Sequence, residues 1–308
     1  MLESTALNVL KKCLNIKKGE KVLIITDKNK ENIANSFFNA SKKLTKEVIL
    51  VKIPVAKVHG TEPPTKIASF MKKFDVIIAP TSKSLTHTKA SQNAAKSGAR
   101  VATLPGITEE ITKQSLTADF SKVEKLTTKL YSKLKNAKTI KVLTPSGTNI
   151  VLHPRKWILD TGVIKNGSVG NLPAGEIFCA PLERKTDGII VIDSMRDNKD
   201  IYAPKGTNIV VLEGNAAIIV GKSKLETYFK TIKNGTNIAE FGIGTNYKAK
   251  IIGNILQDEK VLGTCHIAFG NNTSMGGKIY SKMHLDAILF NPTIYADKQL
   301  IMRKGVIL

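Results

Sequence analysis

The stretch "GEKVLIITD" (residues 19–27) is a short β-branched run that ends in an aspartate, and it reads as a strand. Working outward from it, "KEVILVKIP" (46–54), "FDVIIAP" (74–80) and "ARVATLPG" (99–106) have the same form, each closed by Pro or Gly, with segments of helical composition between them. That alternation predicts a parallel sheet flanked by helices. From Asp119 to Ala137 the apolar residues Phe120, Val123, Leu126, Leu130 and Leu134 recur at helical spacing, which predicts an amphipathic helix closing the first domain. The boundary is expected near residue 138, giving an N-terminal parallel-sheet α/β domain over 1–137 and a second domain over 138–308.

Beyond the boundary the pattern changes. "TIKVLTPSGTNIVLH" (139–153) reads as two strands around a Pro-Ser-Gly turn, and "DGIIVIDS" (187–194), "GTNIVVLEG" (206–214), "CHIAFG" (265–270) and "HLDAILFNP" (284–292) add strands with few helices between them. Helices are expected only at Lys222–Lys233 and Lys248–Glu259. The second half is therefore expected to be a β-rich, antiparallel α+β domain. No tandem repeat and no low-complexity linker interrupts the chain.

Composition narrows the function classes. The chain has 308 residues, 42% of them hydrophobic, enough for a sizeable core. No apolar run reaches the roughly eighteen residues a membrane span needs, and the opening "MLESTALNVLKKCLNIKKGE" is amphipathic, so a cytoplasmic protein without a membrane partner is expected. Cys13, Cys179 and Cys265 are odd in number, far apart and free of C-x-x-C spacing, which argues against a disulfide framework and a thiolate zinc site. The net charge of +22 invites a nucleic-acid reading, yet only five of 47 basic residues are Arg, the side chain suited to bidentate recognition. Residues 1–137 hold 25 basic and 11 acidic residues, spread over expected helices rather than gathered in a block. A lysine-coated surface with no specific nucleic-acid partner is the expectation. The run "FGIGTN" (241–246) offers Gly242 and Gly244 but no third glycine for a dinucleotide fingerprint, and Walker A and G-x-S-x-G motifs are absent. Cys265 is a poor nucleophile candidate, because the adjacent His266 points to the opposite face of its strand.

The remaining chemistry lies near the C-terminus. In "MHLDAILF" (283–290) a strand would project His284 and Asp286 to the same face. His266, in "TCHIAFG" (264–270), could join them from a neighbouring strand, and two imidazoles with one carboxylate make a facial triad for a divalent ion. Glu176, in "LPAGEIFCAPLE" (172–183), and Glu240, in "NIAEFGIGTN" (237–246), sit in apolar surroundings where a carboxylate is costly unless it meets a cation. On the residues alone, a core histidine with satisfied hydrogen bonds, a simple His–Asp pair and ordinary edge-strand glutamates remain open alternatives.

Four strings in this order, "PAGEIFCAP" (173–181), "AEFGIGTN" (239–246), "NILQDEKVLGTCHIAFG" (254–270) and "HLDAILFNPTIY" (284–295), resemble the thermophilic metalloaminopeptidase family of aminopeptidase T and aminopeptidase S. The resemblance covers most of 138–308 and, more loosely, "LNIKKGEKVLIITD" (14–27). It implies a dimer of two-domain chains whose C-terminal domain holds two divalent ions, zinc or cobalt, on Glu176, Glu240, His266, His284 and Asp286. The activity implied is release of N-terminal residues from peptides by a metal-activated water, with Glu240 also able to manage the proton of the nucleophile. One position departs from that family: its site tyrosine falls, in alignment, at Thr273 of "GNNTSMGG" (270–277). The superfamily resemblance extends to 2,5-dihydroxypyridine dioxygenase, a ring-cleaving enzyme of small aromatic substrates with one non-haem Fe(II). His266, His284 and Asp286 could supply its triad, leaving Glu176 and Glu240 beside the metal. A binding protein with a degenerate metal site is the non-catalytic alternative.

Overall fold

A computed structural model describes residues 1–197, 200–221 and 223–308. The chain divides into two compact units, one of Met1–Glu124 with Asp160–Ala174, the other of Lys125–Leu159 with Gly175–Leu308.

The first unit alternates helix and strand: α1 (Leu2–Lys12), β1 (Val22–Thr26), α2 (Glu31–Lys42), β2 (Val48–Lys52), α3 (Thr65–Met71), β3 (Val76–Thr81), α4 (Lys89–Lys96), β4 (Arg100–Pro105) and α5 (Glu109–Lys113). β1 pairs in parallel with β2 and β3, and β3 with β4. Every position of β1 and β3 is buried, which is why both read as unbroken apolar runs rather than alternating ones. Threonines start two of the helices: Thr88 accepts from the Ser91 amide at α4, and Thr108 from the Ile111 amide at α5.

The helix expected from Asp119 is α6 (Phe120–Leu134), and the chain passes from one unit to the other within it. There follow β5 (Ile140–Leu143), β6 (Asn149–Pro154) and β7 (Ile158–Asp160), then β8 (Val169–Asn171), which lies parallel to β4 with Val169 beside Val101. β8 completes a five-strand parallel sheet, so the segment 160–174 rejoins the first unit. The single cut expected near residue 138 does not describe that return, because hydrogen bonding to β4 carries no local sequence mark.

The second unit contains β9 (Glu176–Cys179), β10 (Pro181–Val191), β11 (Met195–Asp197), β12 (Asp200–Ala203), β13 (Asn208–Leu212), β14 (Asn215–Val220), α7 (Lys224–Thr231), β15 (Ile238–Gly244), α8 (Ile255–Asp258), β16 (Thr264–Gly270), β17 (His284–Phe290), β18 (Thr293–Ala296), β19 (Gln299–Arg303) and β20 (Val306–Ile307). An eight-strand sheet runs β14-β13-β10-β6-β5-β18-β19-β20, and a five-strand sheet runs β17-β16-β15-β9-β7. The β5–β6 hairpin is the one read from "TIKVLTPSGTNIVLH", with Leu143 opposite Asn149.

Side chains from both sheets share one core. Val142, Ile150, Ile190 and Ile209 come from the larger sheet, and Ile177, Phe241, Ile243, Ile267, Phe269 and Leu289 from the smaller. The smaller sheet therefore spends one face on the core and leaves the other for different work. α7 begins two residues inside the helix expected over Lys222–Lys233, whose first residue lies outside the described set. Of the helix expected over Lys248–Glu259 only Ile255–Asp258 forms. Gly253 is left-handed at φ 80°, Asn254 caps the Leu256 amide, and the Asp258 carboxylate accepts from the Ile252 and Gly253 amides, both at 2.8 Å. Local side chains thus take the donors that a longer helix would have used. Among the described residues, no helix is long and apolar enough to cross a membrane.

Candidate metal centre

Alternation along the five-strand sheet sorts the residues by face. Phe241 and Ile243 of β15, Cys265, Ile267 and Phe269 of β16, and Ala287 and Leu289 of β17 enter the core. Glu240, His266, His284 and Asp286, and Glu176 of β9, occupy the alternate positions and so point to the opposite face. The register gives each of them a small neighbour: Glu240 and Asp286 flank Ala268, His266 lies opposite Gly242, His284 opposite Gly270, and Glu176 opposite Gly244. The small residues leave room for the polar ones. At Gly242 the need is strict, because an added Cβ would collide with Cε1 and Nε2 of the His266 ring. The Gly-x-Gly run that lacks a nucleotide fingerprint is explained instead by close approach. Gly242 makes space for an imidazole, and Gly244 for the backbone of Lys260 and Val261.

All five residues singled out in the sequence come together. His266 Nε2 lies 3.5 Å from Glu176 Oε2 and 3.3 Å from Glu240 Oε1. His284 Nε2 lies 3.2 Å from Glu240 Oε2 and 3.5 Å from Asp286 Oδ1. Among the described residues, two groups have their ligand atoms close enough to share an ion: Glu176, Glu240 and His266, and Glu240, His284 and Asp286. Glu240 belongs to both, one carboxylate oxygen facing each imidazole. His266 thus falls in one group, His284 and Asp286 in the other. Thr273 starts a short 3₁₀ turn and bonds through its hydroxyl to Asn271 Oδ1 at 3.0 Å.

Two residues of the motif "NILQDEKVLGTCHIAFG" carry a role that sequence reasoning did not assign. Lys260 is fully buried, with Nζ 3.2 Å from Glu176 Oε1 and also paired with Glu259 Oε1. Burial raises the Glu259 carboxyl above its ordinary range, against the opposing charge of Lys260. A signal was present, since a Glu-Lys pair just ahead of an apolar histidine-bearing strand has no place in a core unless its charges are matched.

The charge balance says what the centre requires. Burial raises the Glu240 carboxyl, but hydrogen bonds from His266 and His284 outweigh it and hold it down to about 2. Burial lowers His266, but the Glu240 hydrogen bond and the charges of Glu176, Glu240 and Asp286 lift it to about 9. His284 is lifted well above its ordinary value, Asp286 being the main cause once its desolvation is overcome. His284 Nδ1 faces the Asn271 carbonyl at 2.9 Å while Nε2 faces two carboxylates. A neutral imidazole has one N–H and cannot satisfy acceptors on both sides. Positive charge must sit at Nε2, as a proton or as a metal, and the Nδ1 contact to a carbonyl is the usual support for a metal-bound imidazole. The donor set of imidazoles and carboxylates therefore fits a divalent metal.

The model of the family described as NicX: 2,5-dihydroxypyridine 5,6-dioxygenase matches residues 2–308. The chain belongs to the NicX family. A 2,5-dihydroxypyridine dioxygenase from Pseudomonas putida KT2440 has a similar structure, with a TM-score of 0.85 at 18% identity, covering 100% of this chain and 96% of that one. Wild-type AmpT from Thermus thermophilus is also similar, with a TM-score of 0.74 at 15% identity, covering 100% of this chain and 98% of that one. At such identities both likenesses concern the fold, which this NicX-family chain shares with a dioxygenase and with AmpT. No curated protein matches the sequence. The family shown is the one the sequence placed second, and the aminopeptidase likeness reaches this chain as shared architecture.

Proposed function

We propose that this protein is a metal-dependent dioxygenase that opens the ring of a small dihydroxylated aromatic compound, with one divalent ion, Fe(II), held by His284 and Asp286 of one donor group and by His266, which the ion would draw across from the other group. The observation that carries the reading is the NicX family match over residues 2–308, in a chain that keeps two imidazoles and a carboxylate on one face of β16 and β17. When bound, Fe(II) would supply the redox chemistry that lets dioxygen react with an aromatic diol. The chain's own residues do the rest. His284 is one-third exposed, at 33%, whereas His266 is at 1%, so substrate reaches the centre from the His284 side. Glu240 Oε2, at 3.2 Å from His284 Nε2, is a charged acceptor placed to take a proton from a substrate hydroxyl. Thr273 supports this reading over the peptidase, whose site tyrosine it replaces in alignment.

The test loads the protein with Fe(II) without air and follows oxygen uptake with 2,5-dihydroxypyridine and related diols beside cleavage of amino-acid anilides. Oxygen uptake without anilide cleavage is expected. A second reading, the two-ion aminopeptidase, is favoured by Glu240 belonging to both donor groups. Glu240→Gln separates the two. A one-ion centre keeps its metal with affinity lowered about ten- to a hundredfold, whereas a two-ion centre loses an ion together with amide hydrolysis. Anilide cleavage with no oxygen uptake would reverse the assignment.

A further inference from the structure

Asn272, in the loop between β16 and β17, is a polar side chain at 0% exposure. A buried carboxamide is costly unless its groups are bonded. Its oxygen is bonded, for Oδ1 accepts from the Ile279 amide at 2.8 Å. Its nitrogen is not, since Nδ2 has no hydrogen-bond partner among the described residues. The side chain therefore works as an acceptor. The main chain of Asn272 ties the same loop three more times: its amide donates to the Ile279 carbonyl at 3.1 Å, and its carbonyl accepts from the Met275 and Gly277 amides at 3.1 and 3.0 Å. Gly277 lets the loop close, because an added Cβ there would collide with the Asn272 carboxamide.

The preceding residue joins this closed loop to the metal centre. Asn271 donates its amide to the Met283 carbonyl at 2.9 Å, and its own carbonyl faces His284 Nδ1 at 2.9 Å. An imidazole that binds metal through Nε2 has its ring orientation set by the bond its Nδ1–H makes. Here that bond goes to a main-chain oxygen, so the path of the loop decides where the acceptor stands. His266 is enclosed by packing, whereas His284 is one-third exposed and depends more on this single bond. We infer that Asn272 is a positioning residue for the metal ligand His284: by closing the loop on Ile279 it holds the Asn271 carbonyl where His284 must turn Nε2 toward Glu240 and Asp286. The inference rests on His284 being a ligand, which the one-ion and two-ion readings share.

The experiment measures Co2+ affinity by calorimetric titration, and the visible absorption of bound Co2+, which reports ligand geometry, in the parent, Asn272→Ala, Asn272→Asp and His284→Ala. Asn272→Ala should lower affinity about ten- to a hundredfold and alter the spectrum. Asn272→Asp keeps an oxygen for the Ile279 amide and has no Nδ2 bond to lose, so it should recover most of the lost affinity and the parent spectrum. A side chain that only stabilises the fold would lower the melting temperature in Asn272→Ala and leave affinity and spectrum as in the parent, and that result overturns the inference. If Asn272→Ala does not fold, Gly277→Ala decides, since it presses a methyl group on the same carboxamide. The same loss and spectral change are expected there, and parent-like values overturn the inference. A parent that binds no Co2+, or binds it as tightly in His284→Ala, removes His284 as a ligand and the inference with it. Oxygen uptake is scored separately, so its failure removes the dioxygenase reading and leaves the role of Asn272 standing.

Discussion

At Gly242 an added methyl group would meet the imidazole of His266, which is fully buried. Gly242→Ala should therefore displace a ligand as well as crowd a core, lowering Co2+ affinity at least tenfold and stability by about 1–3 kcal/mol. Calorimetric titration and urea unfolding check the two effects, and unchanged affinity would show that His266 is not a ligand. The imidazoles also set a pH dependence. The folded-state value of His266, about 9, lies above its ordinary 6.5. In the metal-free protein, pairing of the imidazolium with Glu240 and Glu176 thus contributes stability that is complete below pH 6.5 and is lost as pH rises through about 9. Metal must displace the same protons, so Co2+ binding near pH 7.5 should release protons and tighten as pH rises toward 9. Melting temperatures of the metal-free protein across that range, and titrations in buffers of different ionisation enthalpy, test both signs.

The strands β15, β16 and β17 do at the element scale what no single residue does. Their period-two alternation gives one face to the shared core and the other to four ionisable side chains, with Glu176 of β9 as a fifth, each beside a glycine or alanine in register. The turn before β16 is equally specific. Asp258 is buried at 1% exposure and accepts from the Ile252 and Gly253 amides, which fixes the path that delivers Glu259 and Lys260. Asp258→Ala leaves those amides without their partner and should cost about 1–3 kcal/mol, read from urea unfolding.

Across the whole molecule, charge and burial predict how the protein behaves toward reagents and polyanions. Cys13, Cys179 and Cys265 are buried, and burial raises all three thiols well above their ordinary value. The native protein should leave a thiol reagent unreacted at pH 8, and the urea-unfolded chain should titrate three thiols. With a net charge of +22 but only five arginines, any binding to nucleic acid should be sequence-indifferent and fall steeply with salt, and selective binding that survives physiological salt would contradict this. The sequence by itself determined the elements whose signal is local: buried β-branched strands, the β5–β6 hairpin, the amphipathic α6, and the face on which His284 and Asp286 must lie. Hydrophobic period and turn chemistry act between near neighbours, and near neighbours are what a chain displays. The return of β8 to β4, the packing of Lys260 against Glu176, and the placing of Glu240 between two imidazoles were decided only by the tertiary structure. Each joins residues more than twenty positions apart, and the register and charge pairing that bring them together become fixed only when the strands that carry them are assembled into sheets.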